Sequence, residues 1–249
     1  MARFFVSQHP TFGSYKQPVP FRVEASPYFW WWYALTLNTD YIAACASGGA
    51  GFEAVFRDFG DVRYEGNRHL AFCGWWRRRT NEHETQGEYL FAEPQSGQRV
   101  EVVATEEAAA EAMTDDNRIL ISVPLDAQRR HIEKRLNTIL KANLQPKAAR
   151  LVRSVKTSKA RYSLHTPVVP GALRKSFDLF DARREAQERG ELISNFELAR
   201  RAGVKVQERE KEDEINTEEN YRRTVSATVS RYVKQAQRMI ENAGHGKFP

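Results

Sequence analysis

The segment from Tyr28 to Ala46 reads Y-F-W-W-W-Y-A-L-T-L-N-T-D-Y-I-A-A-C-A. Ser26-Pro27 in front of it has the chemistry of a helix start: Ser as N-cap, and Pro at the first helical position, where a missing N–H costs nothing. Gly48-Gly49 supplies the end. Aromatic residues fall on every side of such a helix, so it must be covered on every side, at the centre of an N-terminal domain or partly in an interface with a partner. The rest of the chain therefore has to provide a shell. Two short helices are predicted to contribute, one carrying Phe52, Val55, Phe56 and Phe59, the other Leu70, Phe72, Trp75 and Trp76. Residues 1–25, rich in Phe, Pro and Val without periodicity, read as an arm on that body. Trp30, Trp31, Trp32, Trp75 and Trp76 are also of a type that stacks on unpaired bases. Such platforms line a basic groove, and this region is acidic apart from Arg77, Arg78 and Arg79, so packing is the better account.

Charge divides the chain. Residues 1–117 hold ten Lys and Arg against sixteen Asp and Glu, a net −6, whereas residues 118–249 hold twenty-eight against sixteen, a net +12. A cationic half beside an acidic one points to a polyanion partner for the second half. No apolar run approaches the ~20 residues of a membrane helix, and the N-terminus lacks the apolar stretch of a secretory signal. A cytoplasmic protein without a membrane partner is expected. Two cysteines, Cys45 and Cys73, fit a reducing compartment as small core residues.

From Gly87 the pattern changes. E-Y-L-F-A, V-E-V-V-A and I-L-I-S-V are short β-favouring runs, followed or separated by helices from about Thr105 and from Asp126 to Asn143, the latter with Ile132, Leu136, Ile139 and Leu140 on one face. The expected fold is α+β, mainly α. It comprises a helical aromatic domain over 1–86, a small central sheet with helices over 87–165, and a helical domain over 166–249. Within the middle region Lys147, Arg150, Arg153, Lys156 and Lys159 recur every third residue with no acid between them. On a helix they would make a cationic stripe suited to phosphates, which positions a protein on a duplex without reading its bases.

Near the C-terminus, Arg222 to Ile240 places Val225, Val229, Tyr232, Val233, Ala236, Met239 and Ile240 on one helical stripe. Arg223, Ser226, Ala227, Ser230, Arg231, Lys234 and Arg238 are expected on the opposite face. Small residues with Arg or Lys on an outer face suit a DNA major groove, because short side chains permit close approach. Upstream, Ile193 to Val204 reads I-S-N-F-E-L-A-R-R-A-G-V, in which Ala199 and Gly203 have the spacing of the small residue and turn glycine of a helix-turn-helix. Together with A-T-V-S-R-Y-V at 227–233, this segment resembles the bacterial repressor type of helix-turn-helix. It departs from that family in the middle, where twenty residues, Lys205 to Thr224, rich in Glu, are inserted. W-W-Y-A-L-T-L-N-T-D-Y at 31–41 further resembles the opening helix of regulator-like proteins carried on bacterial integrative elements.

These resemblances imply a double-stranded DNA-binding regulator or accessory factor of a mobile element or phage. Arg223, Ser226, Ser230, Arg231, Lys234 and Arg238 would then lie at the groove. RNA-binding within a ribonucleoprotein, or a non-catalytic assembly protein that forms homo-oligomers through its aromatic domain, are the alternatives. Enzymatic motifs are incomplete. Asp58-Phe59-Gly60 copies a kinase triplet without the accompanying loops, Gly48-Gly49-Ala50-Gly51 lacks the rest of a phosphate loop, and His69, Cys73, Cys45 and His83 match no zinc spacing. Glu82-His83-Glu84 lacks a second carboxylate group to work with. No catalysis, cofactor or metal is expected.

Overall fold

The computed structural model describes residues 4–14, 16–94, 102–114, 119–143, 158–204 and 217–249. Among them the chain forms α1 (Pro20–Glu24), α2 (Pro27–Leu37), α3 (Thr39–Ala46), α4 (Glu53–Phe59), α5 (Arg68–Arg77), α6 (Gln86–Phe91), α7 (Glu106–Thr114), α8 (Arg129–Asn143), α9 (Pro170–Glu188), α10 (Asn195–Arg201) and α11 (Thr217–Gly244). Among the described residues no helix is long and apolar enough to cross a membrane.

The helical part of the expected fold is present, but the central sheet is not. Among the described residues extended pairing is limited to isolated bridges at Phe5–Ala92, Gly13–Pro18 and Arg79–Thr85. The run E-Y-L-F-A is helical, as α6, because Thr85 and Glu88 form a reciprocal capping box: each side chain takes the other's backbone N–H. That arrangement satisfies two of the orphan donors of the first turn and outweighs a strand preference. Ile119 to Val123 and Val102 to Ala104 take no regular structure. A strand needs a neighbouring edge to hold its backbone hydrogen bonds, and among the described residues none is paired with them; Val100 and Glu101 of V-E-V-V-A lie outside the described residues.

Pro27 to Leu35 of α2 is buried throughout, as a helix apolar on all faces requires. Its shell comes from distant parts of the chain. The Trp30 ring stacks on Phe177 of α9 at 5.2 Å, Trp31 on Phe248 beyond α11 at 5.5 Å, and Trp32 lies against Phe72 of α5 at 5.4 Å. Ala236, Met239, Ile240 and Ala243 of α11 belong to the same cluster. The aromatic core is thus closed by the C-terminal helix.

The single helix expected from Tyr28 to Ala46 is broken at Asn38, whose ψ of 104° leaves helical space. Its side-chain oxygen accepts the Tyr41 N–H at 2.9 Å, capping α3, while its amide donates to the Ile240 carbonyl of α11 at 2.9 Å. Ser26 does stand at the N-cap of α2, yet its hydroxyl donates to the Gln8 carbonyl at 2.7 Å and so ties the N-terminal arm to the helix.

Close approach of α5 and α6 depends on Gly87. A Cβ there would lie 2.2 Å from the Trp76 ring, well inside contact distance. Gly87→Ala is expected to lower the unfolding free energy by about 1–3 kcal/mol through overpacking, read from the urea midpoint. An unchanged midpoint would mean the ring has room to move.

Candidate nucleic-acid interface

The resemblance to a helix-turn-helix required Ala199 and Val229 to lie in one body. They do. Leu179 of α9, Leu198 and Ala199 of α10, and Val225, Val229 and Val233 of α11 form one buried cluster, with Ile193, Ala202, Val204 and Tyr221 packed against it. Ser194 caps α10 by accepting the Glu197 N–H at 3.2 Å. The helix ends where Gly203 adopts φ +62°, a left-handed conformation that side-chain-bearing residues resist. This lets the Val204 N–H reach the Ala199 carbonyl at 2.9 Å, closing the turn in the manner of a helix C-cap.

α10 is fastened to α11 by Asn195. Its amide nitrogen donates to the Ser226 hydroxyl at 3.0 Å, the Ser226 carbonyl at 3.3 Å and the Ser230 hydroxyl at 2.9 Å. The two serines, expected on the outward face, are half-buried and turned toward α10. At 100° per residue they lie on the flank between the buried stripe and the outer pole, and which flank a neighbour covers is set by tertiary packing. Asn195 was not singled out by sequence, where it reads as one more polar residue after a capping serine.

The outer pole of α11 is formed by Ala227, Arg231, Lys234 and Arg238, all exposed, within about 60° of arc and ~10 Å of rise from Arg231 to Arg238. The Arg231 guanidinium lies 5.4 Å from the centre of the Tyr232 ring. Among the described residues, none of these three cations stands in a salt bridge with a carboxylate. Cations nearer the start of the helix differ. Arg222 pairs with Glu218 at 2.8 Å and Arg223 with Glu219 at 2.5 Å, both acids belonging to the inserted segment. On α10, Arg200 and Arg201 share Glu197, and Arg201 also takes Glu191. The hydrogen bonds from these arginines hold both carboxyls below the usual glutamate range. Among the described residues of α10 and α11, the free positive charge is therefore concentrated at 231–238, with Arg223 exposed but neutralised beside it.

Lys147, Arg150, Arg153 and Lys156 lie outside the described residues. Lys159 is exposed, and its backbone N–H donates to Glu93 at 2.8 Å. It borders an open cavity together with Arg161, Glu84, Glu88 and Glu93, so its surroundings are acidic as much as basic. Arg161 itself lies over the Tyr89 ring at 4.3 Å.

The fragments of catalytic motifs serve the fold. The buried Asp58 carboxylate accepts from Arg57 at 3.2 Å and from the Tyr162 hydroxyl at 3.0 Å, and Phe59 is fully buried. His69 Nε2 meets Glu24 at 2.9 Å, and Cys45 and Cys73 are buried free thiols that form no disulfide. Burial pushes both thiols up from their ordinary range, which suppresses the reactive thiolate. Gly49 closes the end of α3 through its N–H to the Ala44 carbonyl at 2.7 Å. Among the described residues no group of three or more His, Cys, Asp or Glu is placed to hold a metal ion. No protein-family profile, curated protein or solved structure matches this chain.

Proposed function

We propose that the chain is a non-enzymatic DNA-binding protein of the bacterial cytoplasm, a regulator or accessory factor of a mobile element or phage, which lays the outer face of α11 in the major groove of a duplex. The observation that carries this reading is the exposed stripe of Arg231, Lys234 and Arg238. It has no carboxylate partner among the described residues and sits on a helix fixed along its length. Successive charges of the stripe are spaced ~4.5–6 Å along the helix axis, inside the ~8 Å screening length of physiological salt, so holding them together is unfavourable until a polyanion neutralises them. The rod cannot splay to relieve the repulsion. Its N-terminal part is pinned by the Val225–Val229–Val233 cluster and the Asn195 bridge, and its C-terminal part by the aromatic core and Asn38.

Ala227 on the same pole leaves room for the duplex to approach, and an α-helix fits the ~12 Å width of the major groove. Arg231 and Arg238 have the forked donors that read guanine edges or grip phosphate, and Lys234 contacts phosphate as a point charge. The contact region is centred further along the helix than the sequence implied, because Glu218 and Glu219 neutralise Arg222 and Arg223.

Fluorescence anisotropy with a labelled 20-base-pair DNA at ~0.15 M salt tests the reading. Arg231→Glu with Lys234→Glu is expected to weaken binding by about 30-fold or more, since two phosphate contacts become repulsions. Lys16→Glu with Arg22→Glu makes the same change in net charge at exposed positions elsewhere and is expected to stay within ~3-fold. Equal losses in the two variants would reduce the effect to net charge. Absence of binding by the intact chain would end the proposal, and tighter binding to double-stranded RNA would transfer it to that partner.

A further inference from the structure

The two flanks of the Arg231, Lys234 and Arg238 stripe differ. At 100° per residue, Ser226, Ser230 and Gln237 lie on one flank with Glu219 and Glu241, and Thr224, Thr228, Gln235 and Asn242 on the other. α10 stands against the first flank, where Asn195 holds both serines. The second flank of α11 carries no carboxylate, and Thr224, Gln235 and Asn242 on it are exposed. The Arg231 guanidinium leans the same way. It lies 5.4 Å from the centre of the Tyr232 ring, which follows Gln235 around the helix on that side.

Granted a duplex on the outer face of α11, as proposed above, two effects turn the open flank toward the bases. α10 is bulk beside the first flank, and Glu219 and Glu241 on that flank repel phosphate. On the open flank, Gln235 alone among the neutral side chains lies between the two arginines. Arg231, Gln235 and Arg238 fall at i, i+4 and i+7, so they are surface neighbours within about 60° of arc. Thr224 and Thr228 precede Arg231, and Asn242 follows Arg238. The Thr224 hydroxyl also donates to the Asn220 carbonyl at 2.9 Å, whereas the Gln235 amide makes no hydrogen bond among the described residues. A carboxamide sets a donor and an acceptor side by side. That pair matches the ring nitrogen and amino group that adenine presents in the major groove, as the arginine fork matches guanine. Residues about one turn apart on a groove-bound helix meet successive bases. We propose that Gln235 is a specificity-determining residue that reads adenine, with Arg231 and Arg238 on the guanines either side. The preferred duplex then holds an A·T pair between two G·C pairs, and Lys234 grips phosphate.

Selection by the full chain from duplexes with a random core yields the preferred site, and competition anisotropy then measures discrimination at each base pair. Replacing the central A·T pair by C·G is expected to weaken binding of the intact chain by about 5- to 150-fold. In Gln235→Ala that difference should shrink to within ~2-fold, while discrimination at the neighbouring G·C pairs remains. Gln237→Ala removes the same amide from the flank beside α10 and should discriminate as the intact chain does. Both glutamines are exposed, so both variants should keep the thermal unfolding midpoint. An adenine analogue whose major-groove ring nitrogen is replaced by carbon should weaken the intact chain by about 5-fold and leave Gln235→Ala unaffected. Enrichment of no motif, or of one without an A·T pair between G·C pairs, would overturn the role of Gln235 while leaving duplex binding by α11 in place. So would adenine discrimination that survives Gln235→Ala or is lost in Gln237→Ala. Failure of the intact chain to bind any duplex would end both readings together.

Discussion

Trp31→Ala is expected to destabilise the chain by about 3–5 kcal/mol, the usual range for deleting a fully buried large aromatic side chain. Trp31 has no exposed surface. Its ring stacks on Phe248 at 5.5 Å, and the Phe91, Phe59 and Tyr162 rings lie 5.4, 6.0 and 6.0 Å away. Those four neighbours come from α4, α6, the segment before α9 and the residues after α11. The indole N–H makes no hydrogen bond among the described residues, so truncation removes packing and leaves a cavity without orphaning a polar partner there. A chain of this size with ~5–15 kcal/mol of stability would lose a large fraction of it. Urea unfolding monitored by far-ultraviolet circular dichroism measures the change. A loss under ~1 kcal/mol would mean that the Trp31 neighbourhood is loosely packed.

The second large effect is expected at Glu24. One oxygen of this buried carboxylate meets His69 Nε2 at 2.9 Å and Arg68 at 3.3 Å, and the other faces Arg174 at 3.4 Å. Arg68 also reaches Asp181 at 3.2 Å, and Asp181 accepts the Tyr33 hydroxyl at 2.7 Å. The network fastens α1 and α5 to α9. Glu24→Gln keeps the shape but removes the charge that balances Arg68 and Arg174, and breaking a buried pair in this way costs about 3 kcal/mol at neutral pH.

The pH dependence of that loss is fixed in sign. Burial alone would raise the Glu24 pKa, but His69, Arg174 and Arg68 outweigh it and hold the group below its ordinary 4.5. Stability from such a group is present above the unfolded value and disappears as pH falls through the lower folded value. The difference between wild type and Glu24→Gln should therefore hold steady near neutrality and narrow below pH 4.5. Asp178 and Asp181 act oppositely: burial raises both above the ordinary aspartate value, so their protonation favours the folded state as pH falls through the raised value. The Asp181 contribution is common to variant and wild type, whereas the Glu24 charge itself helps to raise Asp178, so the substitution lowers the Asp178 pKa as well. A difference that stayed constant down to pH 2 would show that the Glu24 charge contributes nothing.

Sequence carried the need for a shell around Trp30, Trp31 and Trp32, because an all-apolar helix has no face to leave in water. It could not say that Phe177 and Phe248 provide it, since nothing local marks a residue for a partner some 150 to 220 positions away. Asn38 was hidden for the same reason: half of its hydrogen bonding goes to Ile240 of α11. E-Y-L-F-A differs in kind, for Thr85 and Glu88 advertise a capping box in four letters, and the β-preference of Tyr, Leu and Phe carries little weight without a neighbouring strand. On α11 the period located the buried face. The outer pole followed from it, but the flanks did not, and Ser226 and Ser230 went to α10 because Asn195 is there to bind them.

DNA binding through Arg231, Lys234 and Arg238 is decided by the salt dependence of affinity. The slope of log K against log salt should be steep for the intact chain. In the variant with all three residues changed to Ala it should fall by up to about 2.7, since each phosphate contact on B-DNA contributes ~0.9. An intact-chain slope near zero, or one that survives removal of all three cations, would contradict the assignment of α11 as the nucleic-acid-binding face.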